Sequence, residues 1–319
     1  MKTGRIISII MACVLCLTAA VSFAGCADKT EQYTVGICQL VKHDALDAAT
    51  QGFKDALTEE FGDSVKFLEQ NAQGEATACT TIVNDFVTKK VDLIMANATP
   101  ALQAAADSTQ DIPVLGTSIT EYSVALGLDN FNGTVGTNVS GTSDLAPLSE
   151  QAAMLVELFP EAKNVGMLFC SAEANSRYQV DVVTSELSAK GITCTEYSFS
   201  DSNDVAAVAT ACAAASDVIY IPTDNTAASC ASTIDGAIGD TPVIAGEEGI
   251  CSGCGVATLS ISYYDLGVKT GEMAIAILKG ESKVSEMPIE YANATKKYNA
   301  DKCGALGITV PSDYVAIEK

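Results

Sequence analysis

The feature of this chain that most limits its fold is a pattern that occurs twice. Residues 33–38 read as a strand, and 43–60 as a helix with apolar or small residues at Ala45, Leu46, Ala49, Phe53, Ala56 and Leu57. Then come a strand over 65–69, a helix over 74–89, a strand over 91–96, a helix over Thr99–Ser108 and a strand over 113–116. The same order returns over Asn164–Cys170, 176–189, 193–198, Val205–Ala215, 217–221, 225–238 and 242–245. Val35-Gly36-Ile37 corresponds to Val165-Gly166-Met167, and Asp111-Ile112-Pro113-Val114-Leu115-Gly116 to Asp240-Thr241-Pro242-Val243-Ile244-Ala245-Gly246, both at an offset of about 130 residues. Strands alternating with helices of this length build parallel sheets covered on both faces. The expected fold class is therefore α/β, with two similar doubly wound parallel-sheet lobes.

Between the copies, 140–144 is rich in small polar residues, as a crossover and helix cap would be, and 144–159 reads as a helix. After the second copy, 255–262 reads as a strand and 265–279 as a helix ending at Gly280. The remaining 281–319 reads as short strands and turns, long enough to return to both lobes.

The amino-terminal residues follow a different logic. Lys2 and Arg5 precede a nearly unbroken apolar run over 6–21, followed by Phe23-Ala24-Gly25-Cys26. A positive start, an apolar stretch and small residues at the end form an export signal. The run is shorter than the roughly 20 residues that a membrane span needs. The small pair before Cys26 and the polar residues after it resemble a bacterial lipoprotein signal. That resemblance implies a signal peptide over 1–25, a lipid on Cys26, a linker over 26–32 and a protein held at the outer face of the membrane.

Charge supports an anchor. With 18 basic and 40 acidic residues the formal charge is −22, which excludes nucleic acid as a partner and disfavours unaided binding to an anionic bilayer. Setting aside Cys13, Cys16 and Cys26, nine cysteines remain; the number is odd, so a monomer with internal disulfides keeps at least one free thiol. Cys251-Ser252-Gly253-Cys254 has the spacing of a redox pair or half a zinc site. Its expected place on a loop between Gly249 and Gly255, with no second close pair and no second histidine, argues for a structural or idle pair.

In open α/β sheets ligands bind beyond the carboxyl ends of the strands, so those positions supply the candidates. Thr99, ahead of Pro100, opens a helix whose free N–H groups suit a carboxylate. Ser118 ends the next strand, and Ser143 and Asp144 begin the crossover. In the second copy the corresponding positions carry Glu173, Asn175, Ser176, Asp224 and the pair Glu247-Glu248. Each can also serve as a helix cap. A carboxylate at Asp224 suits a ligand ammonium, because a charge in a partly dry cleft needs a partner. His43 is the sole histidine, no serine or cysteine stands in a nucleophile elbow, and no glycine-rich phosphate loop is present. The residues thus point to binding, not to an enzyme, and to no metal or cofactor.

Seven short pieces in order carry a family resemblance. They are His43-Asp44-Ala45-Leu46-Asp47 with Gly52-Phe53, Ala98-Thr99-Pro100, Val139-Ser140-Gly141-Thr142-Ser143-Asp144, Glu173-Ala174-Asn175-Ser176, Thr223-Asp224-Asn225, Gly246-Glu247-Glu248 and Tyr263-Tyr264-Asp265-Leu266-Gly267. With them the chain resembles the ABC-transporter substrate-binding lipoproteins whose members bind tryptophan, tyrosine or phenylalanine. The resemblance implies a type I periplasmic-binding-protein-like fold with three crossings, lobe 1 over 33–140 and 258–287 and lobe 2 over 141–257 and 288–319. It implies a monomer that closes on a small zwitterion and delivers it to an ABC permease without chemistry. The ligand residues it implies are Thr99, Ser118, Ser143, Asp144, Asn175, Ser176, Asp224 and Glu247, with His43 and Leu46 near the side-chain end. Other readings are a receptor for a nucleoside, sugar or branched amino acid, a redox or metal protein using Cys251 and Cys254, and a sensory module. The chain departs from its relatives at Ser262, where Asp is usual. It has no tryptophan, so ring stacking would fall to Tyr122, Phe131, Tyr178 or Tyr264.

Overall fold

The computed structural model describes residues 32–318. The leader and Cys26 lie outside the described residues. The first copy forms β1 (Tyr33–Gln39), α1 (Asp44–Phe61), β2 (Val65–Asn71), α2 (Ala76–Lys89), β3 (Leu93–Asn97), α3 (Thr99–Ser108), β4 (Val114–Ile119), a short α4 (Tyr122–Leu126) and β5 (Val139–Ser143). The second forms α5 (Leu148–Leu158), β6 (Asn164–Cys170), α6 (Ala174–Ser188), β7 (Thr193–Phe199), α7 (Val205–Ala215), β8 (Val218–Ile221), α8 (Asn225–Ser229), α9 (Ala231–Ile238), β9 (Val243–Ala245), α10 (Glu248–Cys254) and β10 (Ala257–Ser260). There follow α11 (Tyr263–Leu278), β11 (Glu290–Tyr291), β12 (Thr295–Tyr298), α12 (Ala300–Leu306) and β13 (Val315–Ala316).

The repeat predicted from sequence is a repeat of topology. One sheet runs β2-β1-β3-β4-β5 with β11 at its edge; the other runs β7-β6-β8-β9-β10 with β12 and β13 at its edge. Each copy thus contributes its strands in the same order, all parallel, and β12 adds antiparallel to β10. The paired glycines of the two copies have one cause. A Cβ at Gly36 would stand 2.6 Å from the Phe86 ring of α2, and one at Gly166 would stand 2.3 Å from Cys212 Sγ of α7. Each first strand lets its covering helix approach to the backbone.

Both faces of each sheet are buried. Phe86, Ile94, Leu102 and Val114 pack under α2 and α3, while Val35, Phe53, Leu93 and Met273 pack under α1 and α11. The second sheet has Val165, Met167, Val183 and Tyr220 on one side and Leu168, Ile219, Ile234 and Cys251 on the other. α1 and α11 touch backbone to backbone: a Cβ at Gly52 would lie 2.2 Å from the Tyr264 carbonyl oxygen, and one at Gly267 2.0 Å from that of Ala49.

The chain changes sheet three times: after β5, between β10 and α11, and between β11 and β12. Each change falls a few residues after the expected boundaries at 140/141, 257/258 and 287/288, because β5, β10 and β11 complete their ladders before leaving. Other local differences have clear causes. The helix expected over 144–159 begins only at Leu148, since Pro147 is an extended N-cap and disfavours helical backbone at Ala146 before it. The helix expected over 225–238 breaks at Cys230 into α8 and α9. Cys251 and Cys254 are not on a loop: they are buried in α10 with free thiols.

Candidate ligand-binding site

In each sheet the first strand lies between the second and the third, so helices leaving neighbouring strands depart to opposite faces. The loops part there, at the carboxyl ends of β1 and β3 and of β6 and β8. The first pair of ends presents His43, the N-cap of α1, and Asn97, Ala98 and Thr99; the second presents Glu173, Asn175, Ser176 and Asp224. Two non-glycine residues here hold left-handed backbone, Ala98 at φ 90° and Ser118 at φ 56°. Such conformations cost about 1–3 kcal/mol and gather at binding sites.

The described residues bury four carboxylates, Asp144, Glu173, Asp224 and Glu247, and no lysine or arginine. Their situations differ. Glu173 receives five donors: the Thr226 N–H and Oγ1 on one oxygen, both at 2.8 Å, and the Asn225 N–H (3.0 Å), Asn225 Nδ2 (2.7 Å) and Asn175 Nδ2 (3.2 Å) on the other. Asp224 caps α8 by accepting from the Ala227 N–H at 2.7 Å, and its other oxygen accepts from the Cys170 N–H (2.6 Å) and Ser176 Oγ (2.8 Å). Glu247 caps α10, accepting from the Gly249 and Ile250 N–H groups. Asp144 is the open one. Its Oδ2 accepts from the Tyr263 hydroxyl at 2.9 Å, whereas Oδ1 is buried without a partner.

Burial with few compensating charges raises three of these acids. Desolvation lifts Asp144 to about 6 against hydrogen bonds that pull it down. Glu247 rises to about 7 through desolvation, with Glu248 and Asp144 adding repulsion. Asp224 rises to about 8 through desolvation and then Glu173. His43 is lowered by desolvation, opposed by its bond to Asn225 and by Glu173, Asp47 and Asp44.

The structure gathers the sequence candidates at facing strand ends and the first crossing, and divides them by availability. Ser118 Oγ, Asp144 Oδ1, Asn175 Oδ1 and His43 Nδ1 are buried without a partner, as is Asn97 Oδ1 beside them. Thr99 and Leu46 are buried at the starts of α3 and α1. Ser143 and Ser176 spend their hydroxyls internally, Ser143 on the Thr120 carbonyl and Ser176 on Asp224. His43 Nε2 faces Asn225 Oδ1 at 3.4 Å, bringing together residues of the two sheets' loops. An outer recess of 430 Å³ lies beside this contact, lined by Lys42, His43 and Asp44 from one side and Ser229, Gly249 and Ser252 from the other.

Sequence reasoning left out Asn97, Asn225 and Tyr263, and weighed Glu173 without choosing it. The signal available for Tyr263 was its place at a helix start beside Tyr264. The two separate in the structure: Tyr264 is exposed and bonds Asp55, while Tyr263 is buried on Asp144. Tyr122 is likewise no stacking platform, being buried with its hydroxyl on the Gly116 and Thr142 carbonyls.

Two parallel α/β sheets joined by three crossings, with unpaired polar atoms at their facing ends, define a receptor for a small molecule. Residues 34–317 match the model of the ABC transporter substrate binding protein family. The chain belongs to that family. It is 34% identical over 314 residues to a tyrosine-binding protein of Clostridioides difficile (strain R20291), covering 92% of this chain and 90% of that one. Among solved structures it is similar to an ABC domain from Streptococcus pneumonia in complex with L-Trp, at 31% identity and TM-score 0.84 over 88% of this chain and 96% of the other. It is also similar to the ligand-free, open structure of CD0873, a substrate binding protein with adhesive properties from Clostridium difficile. That match has 37% identity and TM-score 0.68 over 90% of this chain and 99% of the other. The described residues thus match the tryptophan complex more closely in backbone, although the sequence is nearer to the open protein. As an ABC substrate-binding protein it works outside the cytoplasm, and among the described residues no helix is long and apolar enough to cross a membrane.

Proposed function

We propose that this chain is the receptor of an ABC importer for an aromatic amino acid, held at the outer membrane face by a lipid on Cys26 and acting as a monomer without chemistry. The observation that carries the ligand class is the set of buried atoms left open at the facing strand ends. Asp144 Oδ1 suits the ammonium. Ser118 Oγ, with Thr99 and the N–H groups at the start of α3, suits the carboxylate. Asp224, with three donors on its two oxygens, acts from behind by holding Ser176 and the start of α8 in place. The relatives that bind tyrosine and tryptophan support the aromatic choice. Closure is a population shift, so a ligand touching both sides favours it. The greater likeness to the tryptophan complex than to the open relative supports reading this form as closed.

The redox alternative loses its basis with Cys251 and Cys254 sealed in the core and burial pushing the Cys254 thiol up to about 12. Calorimetry of the mature chain against L-tyrosine, L-tryptophan, L-phenylalanine, L-leucine, adenosine and galactose tests the reading. Saturable heat with an aromatic amino acid is expected. Binding of only adenosine, galactose or leucine would overturn it.

A further inference from the structure

We infer that His43 is locked as the tautomer protonated on Nε2, so that its bare Nδ1 reads a hydrogen-bond donor at the far end of the ligand's aromatic side chain. The lock starts at Glu173. Five N–H and O–H donors converge on its two carboxyl oxygens, so both oxygens act as acceptors here. Asn225 therefore turns its NH₂ to Glu173, 2.7 Å away, and its carbonyl oxygen to His43. An acceptor facing Nε2 calls for a proton on Nε2. In a neutral ring the other nitrogen is then an acceptor.

Burial favours the neutral ring: desolvation outweighs Asn225, Glu173, Asp47 and Asp44, the groups that favour its charged form. Nδ1 is buried, has no partner and makes no capping bond to α1. A buried acceptor with nothing to accept is costly, and in native proteins such groups are nearly always satisfied. The missing donor falls to the ligand.

Position says which part of the ligand supplies it. Asp144 stands at the first crossing against Tyr263, and His43 stands beside the outer recess where the loops of the two sheets meet. With the ammonium on Asp144, as proposed above, the ligand's side chain is assigned to the His43 end. A phenol O–H or an indole N–H satisfies Nδ1; a bare phenyl ring does not. This inference rests on the aromatic reading and narrows it to side chains that end in a donor.

The test compares L-tyrosine, L-phenylalanine and O-methyl-L-tyrosine by calorimetry on the mature, untagged chain. Tyrosine is expected to bind about tenfold or more tighter than either analogue, the usual consequence of leaving one buried polar group unpaired. In His43→Ala tyrosine and phenylalanine should fall within about threefold of each other. Asn225→Leu, which keeps the ring but frees its tautomer, should shrink the preference as well. Because His43 is the sole histidine, ¹⁵N-histidine NMR of the wild type reads its tautomer directly. A proton on Nε2, with Nδ1 shifting when tyrosine is added, is the expected spectrum. Equal affinities in the wild type, a proton on Nδ1, or an imidazolium at neutral pH would overturn the inference. If no aromatic amino acid binds, the aromatic reading and the side-chain preference fall together, and the spectrum alone then decides the lock.

Discussion

Replacing Asp144 with asparagine should do two opposite things: stabilise the empty protein and weaken its binding. The carboxyl group is fully buried and raised from 3.8 to about 6. A shift of about 2 units corresponds to roughly 3 kcal/mol of preference for the protonated form. The sign follows from linkage. A group whose folded value lies above its unfolded one imposes no penalty at low pH, where both states are protonated. The penalty grows from about pH 4 and is complete above about pH 6. Asparagine keeps an oxygen for the Tyr263 hydroxyl but carries no charge. Asp144→Asn should therefore match the wild type near pH 4 and exceed it by up to roughly 3 kcal/mol at pH 7.5, measured by urea unfolding without ligand. Calorimetry at pH 7.5 should show the reverse, an affinity loss of roughly 100-fold, as expected when a buried charged partner is removed. An empty variant less stable than wild type at pH 7.5, or one binding L-tyrosine within about threefold of wild type, would refute the reasoning.

Asp224→Ala should lower both affinity and stability, the latter by roughly 3 kcal/mol, because it strands the Cys170 and Ala227 N–H groups and the Ser176 hydroxyl; a loss of affinity with unchanged urea midpoint would instead make Asp224 a direct ligand contact. Gly267→Ala forces a Cβ to 2.0 Å from the Ala49 carbonyl oxygen, so α1 and α11 must part, costing about 1–3 kcal/mol or more in unfolding free energy. Thiol titration of the native mature chain should find, among the described cysteines, only the half-buried Cys194 and Cys230 reactive, with the buried seven appearing in denaturant; rapid reaction of Cys251 or Cys254 would reopen the redox reading. Cys26→Ser should move the protein from the membrane fraction to the medium, followed by fractionation and immunoblot.

The alternation of strand and helix was legible because both faces of each sheet are covered, which leaves near-continuous apolar runs such as Leu93–Asn97 and Val218–Ile221. β5 broke that rule. Its sequence, Val-Ser-Gly-Thr-Ser, reads as linker, yet every residue is buried. Its hydroxyls are absorbed by distant groups: Ser140 by the Met287 carbonyl at 3.0 Å, Thr142 by Thr270 Oγ1 at 2.8 Å and Ser143 by the Thr120 carbonyl at 3.0 Å. Gly141 there leaves room for the Gly116 carbonyl oxygen, 2.1 Å from where a Cβ would stand. No local pattern carries that information.

The site divides in the same way. Strand ends marked Thr99, Ser118, Asn175 and Asp224, since location follows from topology. Which acid keeps a free oxygen depends on donors brought from elsewhere in the chain, as with Glu173, whose partners Asn225 and Thr226 follow β8, the neighbour of β6 in the sheet but two strands later in the sequence. Sequence can locate such a group but cannot count its bonds.

Two acids among the described residues also bear on the transport cycle: Asp144, with a buried oxygen left bare, and Glu247, which it repels. On the reading proposed above, shutting around nothing would leave that oxygen dry and unmatched, a cost that favours the gaping form. Cargo with a positive group would remove it. A permease meeting a shut receptor would then meet, in the main, a loaded one, and ATP would be spared fruitless strokes.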